Sequence, residues 1–384
     1  MKAKKNLSVL SIDYGAGGAE RVTSLLLKHL VNDYNVTLVL FYEYIDYEIP
    51  EGVELVVLSK SLCRDNNIYR KGKDTLFNIW KYNRLIKKRN IDISLAFLAL
   101  PNIINGIMAM LNKNLKTVIS ERCFPSIMYR TNGSSLFLAK YMFPYFYPKN
   151  NFLFSNSVYI NKDLKESFNV KMPMSVIYNP ITVDENIRKI PNTIVAKETL
   201  SFINVGSIYK AKNQLMIINT LPLLDKNHFH FVQAGVGTME EEVKDYVKES
   251  GLENQVTFLG LIKNVKEELI KHDCFVLSSK TEGFPNVVLE AMSVGLPVIS
   301  TNCMSGPLEL LNDNEPIDIK EGEYITCKYG ILINVDDTNA LAKALTYLRD
   351  NPEVRQKYSE LGFERAKQND LPSIYNKVKE LLEG

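Results

Sequence analysis

Residues 273–301 read DCFVLSSKTEGFPNVVLEAMSVGLPVIST. Cys274 to Leu277 forms a short apolar run that reads as a buried strand, and a loop carrying Glu282 follows it. Pro285 and Asn286 open a helix, Gly295 stops it, and Val298 to Ser300 resumes as a second strand. This is a strand-loop-helix-strand unit. Both strands are apolar throughout instead of alternating, as expected of a parallel sheet covered by helices on both faces.

The same rhythm extends outward in both directions. Towards the N-terminus, Leu7 to Ile12, Val36 to Leu40, Val53 to Leu58, Ile93 to Phe97, Thr117 to Ser120 and Phe152 to Phe154 read as strands separated by helical patterns. That pattern ends near Ile177-Tyr178-Asn179-Pro180, and a polar stretch runs to Pro191 and Asn192, where we place a linker. A second series then begins, with strands at Leu200 to Val205, Phe229 to Ala234, Val256 to Leu259, Cys274 to Leu277, Val298 to Ser300 and Ile331 to Ile333. From Thr338 onward the chain reads as consecutive helices, with Pro352 and Pro372 each suited to a helix first turn. The fold class is therefore α/β, with two Rossmann-like domains, and a length of 384 residues accommodates two cores of ordinary size.

Composition narrows the function. A net charge of +2 does not suggest a nucleic-acid partner. Cys63, Cys123, Cys274, Cys303 and Cys327 are scattered without a Cys-x-x-Cys pair, so neither a disulfide framework nor a zinc site is expected, and a cytoplasmic location is the simplest reading. The basic N-terminus leads straight into a Gly-rich turn, unlike a signal peptide. The most apolar stretch, Ile93 to Leu111, is broken by Pro101, Asn102 and Asn105 and is expected to be a strand and a helix instead of a membrane span.

Two carboxylates stand out within residues 273–301. Glu282 lies at the carboxyl end of a strand and just before a helix, where α/β sheets bind ligands and backbone amides gather. Glu290 shares a helix face with Val287, Ala291 and Val294, so if buried it needs a partner, which a ribose diol or a neighbouring protein group would supply. Glu282, Gly283, Phe284, Pro285, Asn286, Val287, Glu290, Ala291, Gly295 and Pro297 together resemble the signature of retaining family 4 glycosyltransferases, in which seven residues separate the two glutamates. The resemblance implies the GT-B fold, two Rossmann-like domains facing across a cleft. It assigns residues 1–180 to an acceptor-binding domain, 181–368 to a domain binding the nucleotide-sugar donor, and 369–384 to a helix returning to the N-terminal domain. It also implies that Glu282 contacts the transferred sugar, that Glu290 holds the donor ribose, and that the loop amides meet sugar and phosphates.

Other segments carry the resemblance further. VGSIYKAKNQ, residues 205–214, is similar to the family's diphosphate-binding turn, with Lys212 at the position of its lysine. The arginine usual directly after the glycine is Ser207 here, and Lys210 is a partial substitute at best, because an ammonium lacks the guanidinium fork. Gly17 and Gly18 belong to a Gly-rich loop after the first strand that fails as a dinucleotide fingerprint, since Glu20 takes the third glycine position, and is similar to the family's loop facing the donor. Gly235, Gly237, Gly260 and Asn264 match positions around the base and phosphates. Glu121 and Arg122 follow a strand end and are read as acceptor or cleft residues, with a salt-bridged surface pair as the alternative.

No Asp-x-Asp pair occurs, and the His228-x-His230 pair lacks a third ligand, so catalysis without a metal is expected, with lysine and helix amides stabilising the diphosphate. The resemblance implies sugar transfer with retention from a nucleotide-sugar, a UDP-sugar by expectation, to an acceptor that in relatives is often a polyprenyl-diphosphate-linked saccharide of bacterial surface glycans. Residues 60–89 are strongly basic, with Lys60, Arg64, Arg70, Lys71, Lys73, Lys81, Arg84, Lys87, Lys88 and Arg89 against Asp65 and Asp74. Tyr129, Phe137, Tyr141, Phe143, Tyr145, Phe146 and Tyr147 form an aromatic cluster with Lys140 and Lys149, suited to a peripheral membrane contact or to core packing. A nucleotide-sugar epimerase or hydrolase of similar fold and a non-catalytic nucleotide-sugar-binding subunit are the competing readings.

Overall fold

A computed structural model describes residues 3–15, 17–59, 68–130, 133–188 and 198–384. Two compact units result, one of Met1–Pro180 with Leu371–Gly384, the other of Ile181–Asp370. Lys60, Cys63, Arg64, Asp65, Pro191 and Asn192 lie outside the described residues.

In the first unit the chain runs β1 (Asn6–Ser11), α1 (Gly18–Asp33), β2 (Asn35–Tyr42), β3 (Val53–Ser59), α2 (Ile68–Arg89), β4 (Ile93–Phe97), α3 (Ala99–Leu111), β5 (Lys116–Glu121), α4 (Pro125–Met128), α5 (Gly133–Phe146), β6 (Phe152–Ser155), α6 (Val158–Glu166) and β7 (Met174–Val176). The strands form one parallel sheet in the order β3-β2-β1-β4-β5-β6-β7. Strand order reverses between β1 and β4, which opens a crevice position at their carboxyl ends. A buried polar chain ties two helices to this sheet: the Tyr82 hydroxyl of α2 meets Ser8 Oγ at 2.8 Å and Ser94 Oγ at 2.5 Å, and Ser94 Oγ donates to Asn105 Oδ1 of α3 at 2.6 Å.

The second unit runs β8 (Leu200–Val205), α7 (Gln214–Thr220), β9 (Phe229–Ala234), α8 (Glu240–Glu249), β10 (Val256–Gly260), α9 (Val265–Leu269), β11 (Cys274–Leu277), α10 (Asn286–Ser293), β12 (Val298–Thr301), α11 (Pro307–Asn312), β13 (Tyr324–Thr326), β14 (Ile331–Ile333), α12 (Thr338–Asp350) and α13 (Pro352–Lys367). Its sheet has the order β10-β9-β8-β11-β12-β14-β13, parallel except for β13, which runs antiparallel to β14. Here the order reverses between β8 and β11, the two strands that lead into the Lys212 turn and the Glu282 loop.

The last helix, α14 (Leu371–Glu383), belongs to the first unit. Its Ile374, Tyr375, Val378 and Leu382 recur at helical spacing and join the core that contains Leu27 and Leu30 of α1. Asp33 at the end of α1 accepts hydrogen bonds from the Tyr375 hydroxyl and, at 2.8 Å, from Lys379.

Two strands went unread in the sequence. Both β7 and β13 are three residues long and lie at sheet edges, and neither is buried on both faces, so neither carries the continuous apolar run that marks the central strands. Ile93 to Leu111 forms β4 and α3, and among the described residues no helix is long and apolar enough to cross a membrane.

Candidate active site

The site of the second unit is built from two loops that leave adjacent strands. After β8 the chain passes through Gly206 to Asn213, where Asn213 adopts a left-handed conformation with φ 57° before α7 begins. After β11 it passes through Ser278 to Pro285 into α10. Hydrogen bonds join the loops: Lys280 N donates to Ala211 O at 2.8 Å, Ser278 Oγ to Lys212 O at 2.8 Å, and Asn213 Nδ2 to Ser278 O at 3.2 Å. This stitching brings Lys212 Nζ to 2.6 Å from Glu282 Oε1. Burial works against charge on Lys212, but the facing Glu282 carboxylate outweighs it and holds the ammonium above its ordinary pKa.

α10 begins beside this pair. Pro285 is its N-cap residue and its side chain makes no cap hydrogen bond, and the positive end of the helix lies directly after the Glu282 loop. The segment after β12 supports the loop from behind: Glu282 N donates to Met304 O at 3.3 Å and Ser305 Oγ to Gly283 O at 2.6 Å. Gly306, with φ 100°, passes so close that a Cβ there would meet Pro285 Cδ at 2.3 Å. Phe284 and Pro285 are buried, Gly283, Asn286 and Val287 are half-buried, and Glu290 is buried one turn into the helix.

The neighbouring turns are drawn together by glycine. Gly235 has φ 119°, its N–H donates to Gly260 O at 2.7 Å, and a Cβ on it would meet Gly206 O at 2.2 Å. Gly237 packs equally closely on Ile208. Ser207 is exposed in this turn, and Asn264 is the N-cap residue of α9, its amide donating to Glu267 Oε2 at 3.1 Å. Lys210 lines a cavity of about 510 Å³ with Tyr209, Gln214, Met239, Glu242 and Lys280, and neither Lys212 nor the two glutamates line it. Lys210 therefore does not join the Lys212–Glu282 pair.

In the first unit, Gly17 is the N-cap residue of α1 and Gly18 its exposed first residue, while the Glu20 carboxylate folds back so that a Cβ on Gly17 would meet Glu20 Oε2 at 2.0 Å. Burial raises the Glu20 pKa. Glu121 and Arg122 are both buried, which corrects the surface-pair alternative. Glu121 accepts from the Tyr147 hydroxyl at 2.7 Å and from the amides of Arg122 at 3.1 Å and Cys123 at 3.4 Å. Burial pushes its pKa up to about 6, with these donors opposing the rise. The Arg122 guanidinium turns to Asn179 Oδ1 at 2.5 Å and lies over the rings of Phe97 and Phe154, and burial lowers its pKa to about 9.

His228 and His230 engage Glu198 O and Thr257 Oγ1, each at 2.9 Å, and no cluster of three or more His, Cys, Asp or Glu side chains suited to a metal occurs among the described residues. The aromatic cluster divides: Phe143 and Tyr147 are buried and stack at 4.6 Å, whereas Phe137, Tyr141 and Tyr145 are exposed. Ser279, which donates to Glu282 Oε1 at 2.6 Å, is not marked in the sequence, and Tyr147 and Asn179 are read there only in the aromatic cluster and at the linker, not as partners of Glu121 and Arg122. A serine three residues before Glu282 was a visible signal, but the other two contacts are tertiary.

Two family models match the chain in succession, Glycosyltransferase Family 4 over residues 16–185 and Glycosyl transferases group 1 over residues 186–365. The chain belongs to the glycosyltransferases. This glycosyltransferase is similar to the N-acetylgalactosamine-N,N'-diacetylbacillosaminyl-diphospho-undecaprenol 4-alpha-N-acetylgalactosaminyltransferase of Campylobacter jejuni, with 29% identity over 99% of this chain and 100% of that protein. Its fold is that of the sucrose-phosphate synthase of Thermosynechococcus elongatus, with a TM-score of 0.79 at 16% identity over 99% of this chain and 98% of that one. Anabaena HepE, crystallised in complex with UDP and glucose, matches with a TM-score of 0.72 at 16% identity over 99% of both chains. The enzyme thus has the GT-B type of fold, with two parallel-sheet α/β units.

Proposed function

We propose that the enzyme transfers a sugar from a UDP-sugar to a hydroxyl of a polyprenyl-diphosphate-linked saccharide, with retention of anomeric configuration and without a metal, in the assembly of a bacterial surface glycan. The observation that carries the donor half of this reading is the Lys212–Glu282 pair at 2.6 Å, whose glutamate lies in the loop that leads into the N-terminus of α10. A cation and a ring of amides suit a departing diphosphate, and a carboxylate suits a sugar hydroxyl. UDP is the nucleotide in the HepE complex, and the acceptor named for the Campylobacter relative is an undecaprenol diphosphate saccharide.

In the proposed step the acceptor oxygen bonds to the anomeric carbon as the bond from that carbon to the phosphate oxygen breaks. The electron pair leaves with UDP, which Lys212 and the amides of α10 stabilise, and the acceptor proton passes to the departing phosphate oxygen. Glu282 positions the sugar and Glu290 holds the ribose. Acceptor recognition falls to the first unit, with Glu121 and Arg122 contributing. The exposed Phe137, Leu138 and Tyr141 of α5, and Phe77 and Trp80 of α2 beside the exposed Arg84, Lys87 and Lys88, form its contact with the membrane that carries the acceptor.

The experiment is a thermal-stability screen against UDP-, GDP- and dTDP-sugars in the presence of a chelator, followed by nucleotide release with a lipid-linked acceptor. Stabilisation by a UDP-sugar that disappears in Glu290→Ala supports the donor reading. A folded protein that no nucleotide-sugar stabilises overturns it in favour of a non-catalytic subunit.

A further inference from the structure

Glu282 Oε1 receives two donors, Lys212 Nζ and Ser279 Oγ, both at 2.6 Å. Among the described residues no hydrogen bond or ion pair engages Oε2. The carboxylate is therefore held by one oxygen and open at the other. Its side chain is 9% exposed, so water does little to hold it.

The two donors differ in what a ligand does to them. Lys212 carries charge, and a diphosphate arriving at the turn competes with Glu282 for it. Ser279 is neutral, buried, and anchored in its own right: Thr301 Oγ1 of β12 donates to Ser279 O at 2.7 Å. Its neighbour Ser278 is buried too and bonded to Lys212 O. Once Lys212 has turned to a diphosphate, Ser279 is the remaining protein group on Oε1.

We propose that Ser279 is a positioning residue that keeps Glu282 oriented with Oε2 towards the donor sugar while Lys212 serves the leaving diphosphate. The inference rests on the reading of Glu282 as the carboxylate that contacts that sugar. A carboxylate freed from Ser279 rotates about its terminal torsion and meets the sugar in the wrong orientation. Misplacement of this kind is paid in the chemical step, with donor affinity left almost unchanged.

The test compares wild type, Ser279→Ala and the isosteric pair Ser279→Thr and Ser279→Val, which share a shape and differ in the hydroxyl. UDP binding is measured by calorimetry, and turnover as UDP release from UDP-N-acetylgalactosamine, UDP-galactose and UDP-glucose with a lipid-linked acceptor. The expected result is kcat lower by about 10- to 100-fold in Ser279→Ala and Ser279→Val, near wild type in Ser279→Thr, with donor KM and UDP affinity within about twofold throughout. Undiminished kcat in Ser279→Ala and Ser279→Val, equal losses in the Thr and Val variants, or a loss confined to UDP affinity overturns the proposal. A wild-type protein that binds no UDP instead defeats the donor reading beneath it.

Discussion

Lys212 and Glu282, 70 positions apart in the chain, meet at 2.6 Å because one backbone and two side-chain-to-backbone hydrogen bonds join the loops after β8 and β11. In the proposed donor site this pair is half of a charge arrangement that a diphosphate completes. Without a ligand, the lysine is neutralised by the carboxylate; with one, it has two anions to serve.

Opposite effects are therefore expected at the two ends of this ion pair. Glu282→Gln removes the competitor for the ammonium and should tighten UDP binding by about 3- to 10-fold, while transfer falls by at least about 100-fold. Lys212→Ala should weaken UDP binding by about 10- to 100-fold and also depress transfer. Calorimetry with UDP and initial-rate measurements on the same preparations separate the two, and UDP binding that weakens equally in both variants would contradict the competition.

Glu121 gives stability a pH dependence of defined sign. Its folded pKa, raised to about 6 by burial, exceeds that of an ordinary carboxyl, so the folded state holds its proton more tightly than the unfolded chain. The corresponding stability is fully present below the unfolded pKa and is lost as pH rises through about 6. Urea unfolding of wild type relative to Glu121→Gln, from pH 4 to 7, should show this loss, on the order of 2 kcal/mol. A stability difference that stays constant over that range would mean that Glu121 does not titrate as described.

The sequence made β11, α10 and β12 legible because every local signal agreed: a continuous apolar strand, Pro285 at the helix cap, and Gly295 at φ 70° to end the helix. It marked Lys212 and Glu282 separately but not their contact, since a separation of 70 residues carries no geometric information. The burial of Glu121, which removes the surface-pair alternative, was illegible for the same reason, as its partner Tyr147 arrives from beyond α5. The aromatic cluster was partly decidable. Ala139, Phe143 and Tyr147 recur every four residues on the buried side, while Phe137, Tyr141 and Tyr145 do so on the exposed side, a periodicity that residue counting alone passes over.

That division of α5 leads to a membrane prediction. Replacing exposed Phe137, Leu138 and Tyr141 together with serine removes apolar surface without touching the core, so folding should be unchanged while binding to phosphatidylglycerol vesicles falls by at least about 10-fold. Phe143→Ser, in contrast, should unfold the first unit, since that ring packs against Tyr147 and Phe168. Cosedimentation at low and high salt gives the readout, and undiminished binding of the triple variant removes α5 from the membrane face.

The closing helix offers a contrast between buried and surface contributions. Val378 of α14 is fully buried in the core shared with α1, and Val378→Asp places a charge there with no partner, which should cost more than about 3 kcal/mol and prevent folding of the first unit. Lys379→Ala removes an ion pair to Asp33 that is about one-third exposed on each side, and should leave stability almost unchanged. Thermal unfolding of both variants tests whether α14 is integral to that unit; a well-folded Val378→Asp protein would show that it is not.

Ser207 permits a gain-of-function test. It is exposed in the turn after β8, and Gln214 Nε2 donates to its carbonyl at 3.1 Å, so the backbone there is held independently of the side chain. Family resemblance puts a basic residue at this position, and Lys210, which lines a different cavity, does not replace it. On the proposed reading the enzyme meets a diphosphate with one lysine, where the family resemblance implies a lysine and a guanidinium. Ser207→Arg adds a planar fork able to make two parallel bonds to phosphate oxygens. We expect UDP to bind about 3- to 10-fold more tightly, with the gain shrinking as salt is raised, because the added contact is electrostatic and partly exposed. Calorimetry of UDP against uridine separates this from nonspecific effects: uridine has no phosphate and should bind both proteins alike. Unchanged UDP affinity in a folded Ser207→Arg enzyme would mean that the diphosphate does not approach this turn, and the donor orientation assigned to Lys212 would have to be redrawn.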